Sequence, residues 1–230
     1  MTPLSKPQYK IVSIDGNIGS GKSTLLTHLK TVFKSDPNVI FLPEPVDEWN
    51  TICDKNGHTI LRKFYEDQDK YAFSFQMMAY ISRLALMQKK IQEIQNNHQT
   101  QIQNKCYYIF TERSLHTDKE IFAKMLFDQG KIEDVNYQIY LKWFDNFAYL
   151  PDIYTYINAE PQTCLERVAK RAREGEDTIS LDYLSSCHQY HEDMFKTITA
   201  EKPSEHLILN GNKNDNHESL TKRLREFIHI

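Results

Sequence analysis

The stretch Gly16-Asn17-Ile18-Gly19-Ser20-Gly21-Lys22-Ser23 fits the spacing G-x-x-x-x-G-K-[ST], and Thr24 follows it. Those residue types suit one chemistry. Successive backbone N–H groups can cradle phosphate oxygens, and a helix starting there adds the positive end of its dipole. Lys22 then reaches the β and γ phosphates, and the Ser23 hydroxyl ligates Mg²⁺. The bland alternative is a glycine-rich turn with an accidental lysine. The strand pattern before it (KIVSID) and the helical pattern after it (LLTHLKTVFK) favour the phosphate loop. The loop alone says only that ATP or GTP is bound.

Glu44 closes NVIFLPEPVDEW, where a parallel strand ends and the ligands of an open sheet gather. A lone glutamate is more commonly a solvated loop residue. One chemistry would need it: an alcohol is a poor nucleophile towards a γ-phosphoryl group, and a positioned carboxylate can take its proton. A nucleoside monophosphate acceptor is already anionic and needs no such base. Trp49, five residues on, reads equally as a pocket wall or a core tryptophan. Glu112 and Arg113 follow the apolar run CYYIF directly, and Asp118 comes soon after. An acid at a strand tip beside a phosphate loop is what a P-loop enzyme needs. Gln76, Ala79 and Arg83 are spaced to share one helix face. Arg83 would be costly if buried alone in MMAYISRLALM and wants a carboxylate, for which Asp118 is the candidate. That pair can equally be a structural salt bridge. Arg167, Lys170, Arg171 and Arg173 lie mostly on one side of a helical pattern and read, unaided, as a solvated basic face.

The elements that must position these residues alternate. Strand patterns occupy 10–15, NVIFLPEPV, CYYIF, DIYTYIN and HLILN. Helical patterns cover 25–34, a long run from about 61 to 94, about 117–129, 135–147, a segment opened by Pro161 and ending near Gly175, LDYLSSCHQYHEDMFKTI, and HESLTKRLREFI. The polar stretch 92–104 reads as a helix end and an exposed loop. This alternation predicts an α/β fold with a five-stranded parallel sheet flanked by helices on both faces. No repeat or linker divides the chain, so residues 1–230 read as a single domain.

Hydrophobic content of 40% and charged content of 26% are ordinary for a soluble globular chain. A net charge of −3 argues against a protein that coats nucleic acid. Cys53, Cys106, Cys164 and Cys187 form no C-x-x-C pair and read as reduced thiols. No apolar run reaches the roughly 20 residues that span a bilayer, and the first ten residues carry no leader pattern. The expected location is cytoplasmic, without membrane contact.

Together, GNIGSGKST, EPVDEW, FYEDQDKYAFSFQ, TERSLHTDKEIFAKMLF and RVAKRAREGEDTISLDYL resemble the deoxynucleoside kinases, most closely the deoxycytidine and deoxyguanosine kinase branch. The likeness covers nearly the whole chain in order. It implies a P-loop kinase fold with a short Arg-rich lid at about 167–178, ATP as donor with Mg²⁺, a deoxynucleoside as acceptor, and a homodimer packed through helices near 76–94 and 135–147. Glu44 matches the general base for the 5′-hydroxyl. Arg113 matches the arginine holding that hydroxyl and Glu44, and Glu112 the acid that shares Mg²⁺ with Ser23. Trp49, Phe64 and Phe122 match the walls around the base, Tyr65 and Glu176 the pair on the sugar 3′-hydroxyl, and Gln76 the amide that reads the base edge. Arg167 matches the residue stacked on adenine, and Arg171 and Arg173 the phosphate contacts. The combination of Ala79, Arg83 and Asp118 is similar to kinases that accept deoxycytidine and purine deoxynucleosides rather than thymidine.

Four features depart from the family pattern. Lys63 stands where relatives are more apolar. Gly175 replaces an acid of the lid. The loop GNKNDN after HLILN is shorter and lacks the Asp that relatives usually carry after the strand, which bears on the choice of phosphate donor. His116 stands where relatives often have an aromatic and takes no assigned role. Rival readings are a nucleoside monophosphate kinase and a catalytically silent kinase-fold subunit. Lys22, Glu44 and Arg113 speak against the silent subunit. A GTP-dependent switch is a further rival reading.

Overall fold

Strand β1 (Gln8–Gly16) is buried from Ile11 onward, because its alternating side chains enter two different cores. The computed structural model describes residues 8–100, 106–173, 175–176, 178–212 and 217–228. Among them, β1 is followed by α1 (Lys22–Val32), β2 (Val39–Leu42), α2 (Val46–Trp49), α3 (Ile60–Glu66), α4 (Gln68–Thr100) and β3 (Cys106–Glu112). Then come α5 (Leu115–Thr117), a π-helical turn (Asp118–Ala123), α6 (Lys124–Asp128), α7 (Asp134–Phe147), β4 (Ile153–Asn158), α8 (Pro161–Arg171), α9 (Leu181–Glu201), β5 (His206–Asn210) and α10 (His217–Ile228).

The five strands form one all-parallel sheet in the order β2-β3-β1-β4-β5. On one face, Val12, Ile14, Phe110, Ile157 and Leu209 pack against Leu25 and Leu29 of α1 and Leu220 and Leu224 of α10. On the other, Ile11 and Ile109 meet Met87, Ile91 and Ile94 of α4. Tyr154 and Tyr156 meet Met194 and Phe195 of α9 and Ile121 of the π turn. Both faces are therefore covered, as the runs of consecutive apolar residues in the strands require. Register pairs Ile14 with Glu112 and Gly16 with Ile157. The phosphate-loop sequence, Glu44 and the Glu112–Arg113 pair thus all leave the sheet at its C-terminal edge, with β3 and β4 on opposite sides of β1. No described helix is long and apolar enough to cross a membrane.

Three helical readings need correction. The run 61–94 is two helices, broken at Asp67 (φ −150°, ψ 84°), whose Oδ1 accepts from the Lys70 N–H at 3.2 Å. The aspartate side chain offers that donor an alternative to the helix ladder. α4 then runs on to Thr100, past the expected helix end, and 101–105 lie outside the described residues. The pattern 117–129 is split by the π turn. α8 ends at Arg171 because Ala172 turns into the left-handed region (φ 48°), so Arg173 stands off the helix that was expected to carry it.

Candidate active site

At the end of β1 the backbone takes a path that side chains would block. Gly16 has φ +146°, and a Cβ there would lie 2.7 Å from the Ile157 carbonyl oxygen. Gly19 has φ +81°, and its Cβ would lie 2.5 Å from the Cys164 carbonyl oxygen. Asn17 fastens the loop to α9: its Nδ2 donates to the Leu184 carbonyl at 2.8 Å, and its Oδ1 accepts from the Ile18 N–H at 2.9 Å. Lys22 is buried and donates to the Asn17 carbonyl at 2.7 Å. Burial, and then the nearby Arg113 charge, lower its ammonium to about 7. Ser23 Oγ donates to Glu112 Oε1 at 2.6 Å, so the register of β1 with β3 sets two hard oxygens side by side at the foot of the loop.

β3 ends in a sharp turn. Arg113 adopts φ +63°, an unusual conformation for a residue with a Cβ, fixed by its N–H on the Ile14 carbonyl at 3.0 Å and by Thr111 Oγ1 on its own carbonyl at 2.7 Å. The guanidinium thereby lies 4.8 Å from the Phe122 ring centre and donates through Nη1 to Glu44 Oε1. Arg83, from α4, donates through Nη2 to the same Glu44 oxygen at 2.8 Å, through Nε to Asp118 Oδ2 at 2.9 Å, and through Nη1 to the Glu112 carbonyl at 3.0 Å. Burial alone would raise the Glu44 carboxyl. Arg113 and Arg83, helped by Lys22, reverse this and hold it well below the usual carboxylate range. For Asp118 burial prevails over Arg83, and its carboxyl sits above the usual value.

Beyond Glu44 lies an aromatic chamber. Trp49 Nε1 donates to Ser82 Oγ at 2.9 Å. Phe75 meets Trp49 edge-on at 5.3 Å and stacks on Phe64 at 4.7 Å. Tyr65 meets Tyr183 edge-on at 6.2 Å. Gln76 and Ala79 are buried on the α4 face that also carries Arg83. On the opposite side, Arg167 Nη1 donates to the Gly211 carbonyl at 2.8 Å. Arg171 and Arg173 both pair with the buried Glu176, the latter at 3.3 Å.

A single cavity of about 690 Å³ joins these parts. Of the residues singled out in the sequence, Ile18, Gly19, Ser20, Gly21, Lys22, Ser23, Thr24, Glu44, Trp49, Phe64, Tyr65, Gln76, Ala79, Arg83, Glu112, Arg113, Asp118, Phe122, Arg167, Arg171, Arg173 and Glu176 line it. Gly16 and Asn17 do not, and they shape the loop from behind. Phe75, Leu61 and Tyr183 also line it and were not singled out in the sequence, since their spacing carries no functional signal. Asp15 was missed as well. It is buried under the loop, accepts from Ser13 Oγ at 2.6 Å and from Thr117, and burial raises its carboxyl. Lys63 pairs with Asp54 at 2.8 Å, and His116 Nδ1 lies 2.9 Å from the Tyr154 hydroxyl. Residues 213–216 of the GNKNDN loop lie outside the described residues. No group of three or more His, Cys, Asp or Glu among the described residues is arranged to hold a metal ion. The hard-oxygen pair Ser23–Glu112 suits Mg²⁺, which takes one or two protein ligands and completes its shell with phosphate and water.

A phosphate loop at the carboxyl edge of an all-parallel sheet, opening onto a chamber with its own buried acid, defines a protein of the P-loop kinase fold. The chain belongs to the deoxynucleoside kinase family, whose model matches residues 12–229. It is 31% identical to human deoxycytidine kinase, with 96% of this chain and 92% of that protein covered. It is 30% identical to human mitochondrial thymidine kinase 2 over 82% of this chain and 65% of that protein. A solved deoxyadenosine kinase from M. mycoides, with the products dCMP and a flexible dCDP bound, superposes with a TM-score of 0.73 at 19% identity, covering 95% of this chain and 98% of that one.

Proposed function

We propose that residues 1–230 form one ATP-dependent deoxynucleoside 5′-kinase domain that transfers the γ-phosphoryl group to the 5′-hydroxyl of deoxycytidine, deoxyadenosine or deoxyguanosine in preference to thymidine. The observation that carries this reading is Glu44, an ionised carboxylate clamped by Arg113 and Arg83 inside the cavity that also contains the phosphate loop. Its depressed pKa makes it a weak base that is fully ionised at neutral pH. That suits a loose phosphoryl transition state, in which the attacking hydroxyl gives up its proton late. Arg113 orients the hydroxyl and Glu44 and meets the charge that develops on the transferring group.

Gly16 to Thr24 cradle the donor phosphates, with Lys22 reaching the β and γ phosphates. Ser23 and Glu112 hold Mg²⁺, which neutralises phosphate charge when bound. Arg171 and Arg173, in a lid spanning about 167–178, contact phosphate by their bidentate guanidinium forks, and Arg167 stacks on adenine. Trp49, Phe64 and Phe122 enclose the base, and Gln76 reads its edge. Tyr65 and Glu176 hold the 3′-hydroxyl; a carboxylate has about four acceptor sites, enough for two arginines and a hydroxyl. The Arg83–Asp118 pair beside Ala79 fills the space that a 5-methyl group needs. A cytoplasmic homodimer, with no nucleic-acid or membrane partner, fits the apolar residues left exposed on α4 and α7, among them Ile81, Val135, Ile139, Trp143 and Phe147.

The test is initial rates with Mg-ATP and each of the four deoxynucleosides, beside the corresponding monophosphates as acceptors, with products resolved by chromatography. The expected product is the 5′-monophosphate. Preferred phosphorylation of a monophosphate, or thymidine with the highest kcat/KM, overturns the corresponding part of the reading.

A further inference from the structure

Arg83 does more than its sequence context suggests. Read along the chain, it needed one acid and found Asp118. In the fold its guanidinium spans three groups: Asp118 Oδ2 at 2.9 Å, the Glu112 carbonyl at 3.0 Å and Glu44 Oε1 at 2.8 Å. It lies 5.5 Å from the Trp49 ring centre and is 8% exposed, so packing and three hydrogen bonds fix its plane. Arg113 donates to the same Glu44 oxygen. Two guanidiniums therefore converge on Oε1, and Oε2 is the Glu44 oxygen outside both bonds. Lys22, Tyr65 and Asp118 also act on Glu44 electrostatically, but the hydrogen-bonded clamp consists of the two arginines.

We propose that Arg83 is a positioning residue for Glu44: with Arg113 it pins Oε1 and turns Oε2 to the acceptor hydroxyl, so that discrimination among bases and orientation of the general base share one side chain. This rests on the reading of Glu44 as the base. A carboxylate held by one arginine can still rock about its Cγ–Cδ bond as that bond bends. Two bonds on one oxygen narrow this motion, and reactivity depends steeply on such alignment. It follows that substitutions at position 83 that open the chamber to a bulkier base also loosen the catalytic carboxylate.

A double-substitution cycle decides it, with the best of the four deoxynucleosides and saturating Mg-ATP. Arg83→Met is expected to lower kcat about tenfold in the native background and less than twofold on top of Glu44→Gln. Asp118→Asn, which leaves the Arg83–Glu44 bond in place, is expected to act mainly on KM. Equal kcat losses from Arg83→Met in both backgrounds, or a change confined to KM, overturn the proposal. If Glu44→Gln alone costs less than about tenfold, the assignment of the base has failed, whatever the cycle returns. A crystal structure of Arg83→Met, or of Arg83→Lys should the methionine variant fold poorly, gives a readout independent of turnover. Glu44 is expected to leave its present orientation while Arg113 stays; an unmoved carboxylate overturns the proposal.

Discussion

Glu44→Gln keeps the shape of the side chain and removes its charge. Two separate losses follow. If Glu44 takes the hydroxyl proton, kcat falls by about 10²–10⁴-fold, the usual contribution of a positioned base. That is about 2.7–5.4 kcal/mol of barrier at about 1.36 kcal/mol per decade. Folding suffers differently. Arg83 and Arg113 each lose a charge-assisted bond, worth about 1.5–3 kcal/mol. Arg83 keeps Asp118 and the Glu112 carbonyl, and a glutamine oxygen still accepts, so the expected net loss is about 1–3 kcal/mol rather than the sum.

The pH dependence has a definite sign. The folded carboxyl titrates below its ordinary value of 4.5, so its stabilisation is fully present above that pH and is lost as pH falls towards the folded value. The gap in unfolding free energy between native protein and variant should be level from pH 8 to about 5 and should close in more acid solution. Steady-state rates give the first number, and urea unfolding at a series of pH values gives the second. A kcat within about tenfold of native, together with a pH-independent gap, would refute both the catalytic role and the clamp.

Arg83→Met with Asp118→Ala should lower the KM for thymidine, because on the proposed reading the pair fills the space a 5-methyl group requires; an unchanged KM sinks the steric reasoning, since the loosened Glu44 clamp acts on kcat. Gly19→Ala forces a Cβ within 2.5 Å of the Cys164 carbonyl at φ +81°, so thermal unfolding should shift down and KM for ATP should rise at least tenfold. His191 is fully buried with its imidazole lowered to about 3, so native protein loses stability as pH falls from 6.5 towards that value. His191→Phe should flatten that slope in acid unfolding curves, and an unchanged slope would show that other groups dominate.

The phosphate loop was legible because fixed spacing, a strand and a helix all point to one backbone path. The strands were legible because a sheet covered on both faces demands unbroken apolar runs such as CYYIF and DIYTYIN. Arg83 was half legible. Burial among apolar neighbours called for an acid, but its bond to Glu44 depends on how α4 crosses the end of β2, which no local pattern encodes. The left-handed turn at Arg113 and the π turn at Asp118 escaped for the same reason: tertiary packing overrides the preferences of an arginine and of a regular helical repeat. Asp67 broke a helix that hydrophobic periodicity had drawn as continuous, although an aspartate followed by a second helical start is a cap signal.

The strand order has a consequence for how the molecule comes into being. β1 lies at the centre of the sheet, yet Gln8 pairs with Cys106 and Val12 with Ile153. No tight hairpin can seed such a sheet. Long loops must close before the first ladder bond repays them, which makes folding slow and dependent on the intervening helices. During synthesis the apolar run of Ile11, Val12 and Ile14 must wait, unpaired, for chain that emerges much later. Apolar surface left exposed in this way promotes aggregation until the sheet closes. The phosphate loop is written early in the chain but completed late, because Gly16 finds its neighbour only when Ile157 arrives.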